Sequence, residues 1–316
     1  MRVFLAVVLI CLPLGLWAHE VPSVRYAEID GVVTVETTGA GVTADTPFPI
    51  ASVGKLYTAV AVLMLDASEA LDVDDAAADY LPADIVAGFG GMRGITLRHL
   101  LTMTAGLPDF YTDDYIEDAL DDPDEVQHAA VALTYAMDEA PLFDPGAAFD
   151  YSNTNYVMLG LVIEEVTGKS YAQAVEDMIF APLGLSRSFV FGSRPLPEGV
   201  PTGHEGRDHV RDYFEGNGFG DGGVITTARE LAAFYRALRG GTLLADPWLD
   251  MMMEDPLGEG YGMGIEMEGN IVGHSGGDLG FSSDVRMDVT TGDIAIVLVG
   301  EGDGETDFAW DRLEGR

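Results

Sequence analysis

The stretch from Pro47 to Leu65, PFPIASVGKLYTAVAVLML, constrains this chain more than any other. From Leu56 onward its apolar residues fall on nearly every face of a helix, the pattern of an element buried all round. A lysine stands at its mouth, in a chain whose lysines are Lys55 and Lys169. Burying an ammonium group is costly unless it has partners. Ser52 lies three residues before Lys55, so in a first helical turn the two share a face. A hydroxyl beside a desolvated amine can become a nucleophile, because a neutral lysine accepts the serine proton. The helix N-terminus adds free amide donors and a local positive potential. The same residues also read as an N-cap serine and a solvated first-turn lysine, the commoner meaning of so short a pattern.

The 316 residues suffice for one large domain or two moderate ones, and a hydrophobic content of 47% argues against disorder. Acidic residues number 53 against 16 basic, a formal net charge of -37. Such a surface repels nucleic-acid backbones and anionic lipid, so neither is an expected partner. It also repels itself, and stability is expected to rise as salt screens that repulsion. Residues 1–18, MRVFLAVVLICLPLGLWA, have the basic start, apolar run and terminal small residue of a secretory signal, although Leu16 is large for a position near a cleavage site. The protein is therefore expected to be secreted or periplasmic, with an uncleaved N-terminal tether as the alternative. Cys11, the only cysteine, lies in this segment, so a cleaved product has no disulfide or catalytic thiol. No later stretch is apolar enough to span a bilayer, and stable membrane insertion is not expected after cleavage.

Val24 to Val35 reads as a hairpin around Asp30-Gly31. Ile95 to Leu107 reads as a short amphipathic helix stopped by Gly106, with His99 as a satisfied structural histidine. Thr112 to Glu125 is an acidic loop or a pair of short helices. Tyr156 to Gly168 is a helix, preceded by a loop that concentrates Tyr151, Ser152, Asn153, Thr154 and Asn155. Tyr151 and Asn153, two apart in a non-helical loop, can converge as a proton-transfer hydroxyl and an amide, although caps and turn formers are the stronger local reading. Phe189 to Asn217 reads as irregular loop; its H-E-x-x-x-H at His204, Glu205 and His209 has the wrong spacing for a helical zinc motif. Thr227 and Glu230 form a capping-box pattern at the start of another helix.

From Tyr261 the texture turns to extended runs broken by Thr290-Thr291-Gly292-Asp293. The fold class is α/β: an antiparallel sheet flanked by helices and built from both chain ends (19–65 and 227–316), with a mostly helical domain inserted (66–226). An active site is expected where the two meet. Gly273 to Gly277, GHSGG, spends three glycines in a strand-like run, which implies a bulge, a close backbone approach or a simple glycine-rich turn.

Ser52-Val53-Gly54-Lys55, Tyr151-Ser152-Asn153 and His274-Ser275-Gly276 occur in that order, within the flanks LRHLLTMTAGLP, PGAAFDYSNTNYVMLGLVIEEVTG and GDGGVITTARELAAF. Together they resemble the penicillin-recognising serine hydrolases: class C beta-lactamases, D-alanyl-D-alanine carboxypeptidases with an H-x-G third motif, and related esterases and D-amino-acid peptidases. The resemblance implies Ser52 as acylated nucleophile, Lys55 as the amine beside it and Tyr151 as the proton shuttle. It implies Asn153, His274 and Ser275 as substrate-binding residues, with His274 also helping to dock a substrate carboxylate. The oxyanion hole would be the backbone N–H groups of Ser52 and Gly277. Neither metal nor organic cofactor has a task in such a cycle. The implied function is a D-alanyl-D-alanine carboxypeptidase-like serine peptidase acting on a small or short-peptide substrate. An esterase, a D-aminopeptidase, a class C-like beta-lactamase and a catalytically silent penicillin-binding or sensor domain are the alternatives. Arg187, Arg194, Arg207, Arg211 and Arg286 are candidates for reading a substrate carboxylate.

Overall fold

Both ends of the chain converge on one six-stranded antiparallel sheet. A computed structural model describes residues 20–121, 128–205, 208–209 and 218–315. The expected signal segment, Arg207 and Arg211 lie outside them. β1 (Ser23–Ile29) and β2 (Val32–Thr38) form the N-terminal hairpin. Its turn residues Asp30 and Gly31 take φ of +50° and +74°, the left-handed pair that a tight two-residue hairpin requires.

β3 (Phe48–Pro49) leads through the Ala51–Gly54 turn into α1 (Lys55–Ala67). Lys55 to Leu63 are all buried, as the apolar run demands. Short helices follow: α2 (Ala83–Gly88), α3 (Leu97–Leu101), α4 (Asp113–Asp121) and α5 (Ala129–Leu133). The expected helix over 95–107 is thus cut to five residues. Met103 and Gly106 both have positive φ, so the chain turns there and cannot continue a helix. His99 closes a capping box with Thr96: the His99 N–H donates to the Thr96 hydroxyl (3.3 Å), and the Thr96 N–H to His99 Nδ1 (3.1 Å).

α6 (Asn153–Thr167) ends on left-handed Gly168 and is followed by α7 (Tyr171–Val175) and α8 (Ala181–Leu183). The segment expected to be irregular from Phe189 holds three two-residue strands: β4 (Phe189–Val190), β5 (His204–Glu205) and β6 (Asp208–His209). β4 pairs with β7 (Val224–Thr226) and β7 with β3, so local composition missed pairings made across long sequence distances. Thr227 caps α9 (Ala228–Arg239) by accepting from the Glu230 N–H, but the Glu230 carboxylate turns away to take the Arg187 N–H and the Ser188 hydroxyl. Only half of the expected capping box forms.

α10 (Asp246–Met252) precedes β8 (Glu266–Glu268), β9 (Ile271–Asp278), β10 (Phe281–Asp288) and β11 (Ile294–Val299). The strand order is β2-β1-β11-β10-β9-β8. β11, IAIVLV, is buried on both faces. One face joins a continuous core with α1, α6 and α9; Ala27, Ala295, Val297 and Val299 on the other pack against α11 (Phe308–Glu314). Among the described residues no helix is long and apolar enough to cross a membrane.

Candidate active site

Ser52 lies in the 3-10 turn Ala51–Gly54 and caps no helix. Ala51 has φ of +46°, a conformation that residues with a Cβ seldom adopt. The turn is pinned from two sides: the Ile50 N–H donates to Val224 O (3.1 Å), and the Ser283 hydroxyl donates to Ile50 O (2.8 Å). β9 packs directly on it. A Cβ at Gly276 would fall 2.5 Å from Ile50 O, so only glycine lets the strand lie so close. GHSGG is therefore an unbroken strand in register with β10, and of the expected alternatives the close backbone approach is the one present.

Lys55 opens α1 and is wholly buried. Its ammonium donates to Ser52 Oγ (3.1 Å), Asn153 Oδ1 (2.7 Å) and the main-chain oxygen of Asp221 (2.6 Å). Three hydrogens meet three acceptors, which compensates the burial. It also lies 5.1 Å from the Tyr151 ring centroid. Asn153 is the first residue of α6. Asp109 holds it at two points, taking its N–H on Oδ1 (3.0 Å) and its Nδ2 on Oδ2 (2.9 Å), which leaves the amide oxygen for Lys55. Tyr151 comes two residues earlier. Its ring packs edge-on to Tyr261, and its hydroxyl is buried without a hydrogen-bond partner among the described residues.

His274 and Ser275 separate, because successive side chains of a strand point to opposite faces. His274 faces inward and is 1% exposed. Its Nε2 meets the Tyr261 hydroxyl (3.1 Å) and its Nδ1 the main-chain oxygen of Ser275 (2.5 Å). Burial pushes it down to about 4, with Glu266 only partly opposing, so the ring is neutral near pH 7. Its Nδ1 also lies 3.5 Å from Glu266 Oε1, so the ring belongs to a polar network with Tyr261 and Glu266. Ser275 turns to the outer face and donates to Glu266 Oε1 (2.8 Å). Glu266 also accepts from Arg286 (2.6 Å), whose Nε pairs with Asp284 (2.7 Å). Burial pushes Asp284 up to about 7, Arg286 partly opposing.

Gly277 has open space around it and lies beyond the reach of β8, which pairs with β9 only as far as Gly273. Asp278 follows, facing inward like His274 and Gly276. It accepts on Oδ1 from the Tyr111 hydroxyl (2.6 Å) and the Leu279 N–H (2.8 Å), and burial pushes it up to about 6. Asp221 is likewise pushed up to about 6 by burial, with Lys55 opposing and Asp278 and Asp109 adding to the rise.

Sequence reasoning missed Asp109, Asp221, Tyr261, Glu266 and Asp278. Asp109 and Asp221 follow turn signals (Leu107-Pro108 and Gly218 to Gly220) that mark loops without naming their contacts. Of the arginines weighed, Arg187 donates to Asp45 O, Arg194 stacks over Phe189, and Arg286 is held by the two carboxylates.

A strained serine turn, a buried lysine on its hydroxyl, an amide on the lysine and a glycine strand alongside define a serine acyl-transfer site. The beta-lactamase family model matches residues 15–314, and the chain belongs to that family, which includes the penicillin-binding proteins. It is 29% identical over 265 residues to penicillin-binding protein 4* of Bacillus subtilis (strain 168), covering 75% of this chain and 56% of that protein. With penicillin-binding protein 4 of Amycolatopsis lactamdurans it shares 30% over 233 residues, 69% of this chain and 59% of that one. The chain thus spans less than two thirds of the length of both relatives. A solved D-stereospecific amidohydrolase from Streptomyces superposes with a TM-score of 0.79 at 28% identity, covering 92% of each chain.

Proposed function

We propose that the protein hydrolyses amide or ester bonds of short D-amino-acid substrates through an acyl-enzyme on Ser52. The observation that carries this is the Lys55 ammonium shared between Ser52 Oγ and Asn153 Oδ1. Ser52 Oγ bonds to the substrate carbonyl carbon as its proton passes to Lys55, whose amine takes part in that step in its neutral form, and Tyr151 relays the proton onward. Tyr151 is the natural shuttle, since its buried hydroxyl has no other partner among the described residues. The oxyanion rests on the N–H groups of Ser52 and Gly277. The bond to the leaving amine or alcohol breaks as that group takes a proton from Tyr151. Water then attacks the ester and frees the acid and Ser52.

A carboxypeptidase-like activity on D-alanyl-D-alanine ends is the rival, favoured by likeness to two penicillin-binding proteins. It needs a cation for the substrate carboxylate. Arg286 is paired and Lys55 fully engaged, and likeness to the Streptomyces amidohydrolase supports the amidase or aminopeptidase form. The test is turnover of a D-amino-acid amide, an acyl-D-Ala-D-Ala peptide, a chromogenic cephalosporin and a short-chain ester, with labelled-penicillin trapping. Ser52→Ala is expected to abolish adduct and turnover, a loss on the order of 10³-fold or more. Full activity in S52A would end the reading, and dominant turnover of the peptide would restore the carboxypeptidase.

A further inference from the structure

We propose that Asp278 selects substrates with a free α-ammonium group, so that the enzyme acts on unblocked D-amino-acid amides or on short peptides from their amino terminus. This rests on the acyl-enzyme reading above and deepens it. In an α-amino amide the amine nitrogen is two bonds from the carbonyl carbon. A group that reads it must therefore sit beside the oxyanion site, and Asp278 directly follows Gly277 on β9. The period of two puts its side chain on the face of β9 that meets the Ser52 turn, together with Gly276.

The carboxylate is held but not used up. The Tyr111 hydroxyl and the Leu279 N–H both fall on Oδ1, leaving Oδ2 without a hydrogen bond among the described residues. Asp278 as a residue is half-buried, at the last position of β9. Lys55 does not neutralise it by contact, since its three hydrogens go to Ser52, Asn153 and Asp221 O. Asp221 and Asp109 add negative potential nearby, and Asn153 already occupies both oxygens of Asp109. Three carboxylates, Asp109, Asp221 and Asp278, face the single positive charge of Lys55, so the cleft attracts one further small cation, with Asp278 as its acceptor. An N-acylated substrate places a neutral amide there and gains nothing.

The test compares kcat/KM for D-alanine p-nitroanilide and N-acetyl-D-alanine p-nitroanilide in wild type, Asp278→Asn and Tyr111→Phe. Wild type is expected to prefer the free amine. D278N is expected to lower the free-amine to N-acetyl ratio about 10- to 100-fold, the range for losing a charged hydrogen bond. Y111F loosens the carboxylate but keeps its charge, and is expected to shift the ratio far less. The proposal is overturned if wild type prefers the N-acetyl substrate. It is equally overturned if D278N lowers both alike, the mark of a mere strap between β9 and the Tyr111 loop. No turnover of either substrate alongside a Ser52-dependent penicillin adduct overturns the selectivity alone; no adduct and no turnover removes the acyl-enzyme reading, and the selectivity with it.

Discussion

Strand edge that no other strand covers runs along the outer side of β2 and along β9 beyond Gly273. They could hardly differ more. β2, VVTVETT, is exposed along its whole length, with Val32, Val33 and Val35 at 63%, 47% and 40%. Its β-branched side chains favour the extended backbone without help from neighbours. β9, IVGHSGGD, gives up that intrinsic preference for closeness. Gly276 lets its main chain meet the Ser52 turn, and the side chains of its two faces divide between Tyr261 and Glu266. A strand edge becomes chemically useful where the backbone can approach another element, not where the strand is strongest by itself.

That contrast can be broken first at Gly276. Gly276→Ala puts a methyl group against Ile50 O and the Ser283 hydroxyl, and β9 must move from the nucleophile. A displacement of about 1 Å is expected to cost on the order of 10²-fold in kcat/KM, with about 1–3 kcal/mol of stability lost to overpacking. Wild-type kinetics in G276A would show that the close approach does not set the site.

A smaller effect is expected from the buried Asp284–Arg286 pair on β10, the strand beside β9. Asp284 is held near 7 when folded, against about 3.9 for a free carboxyl. Between those values the folded state binds more protons than the unfolded one, so this group's contribution to stability falls as pH rises from about 4 to 7. Asp284→Asn is expected to flatten that fall. Urea midpoints at pH 5 and pH 8, in wild type and D284N, measure it; an unchanged gap between the two pH values would place the pH dependence elsewhere.

The least effect is expected on β2. Val33→Thr keeps a β-branched residue on an exposed strand and is expected to stay within about 0.5 kcal/mol and leave turnover unaltered. A substantial loss in thermal midpoint or activity would mean that the edge is covered in solution, and the contrast with β9 would lapse.

Local chemistry made much of this legible before any coordinates. Asp30-Gly31 required a left-handed turn, the apolar run after Lys55 required burial on all sides, and the Thr227 side chain found the Glu230 N–H at the start of α9. Ser52, Lys55 and Asn153 were grouped from sequence and stand within hydrogen-bond contact. The reading failed where a contact depends on a remote partner. β4 exists because β7 lies beside it, and the helix after Ile95 stops early because Met103 turns the chain.

By itself the sequence determined which groups are present and which short segments prefer helix, strand or turn, because those preferences act over a few residues. Only the tertiary structure decided that Lys55 gives its three hydrogens to three separate parts of the chain, that His274 is buried against Tyr261, and that the Tyr111 and Leu279 bonds to Asp278 both fall on one oxygen. The availability of each group depends on burial and on partners up to 167 residues away in the chain, distances over which no local pattern carries information.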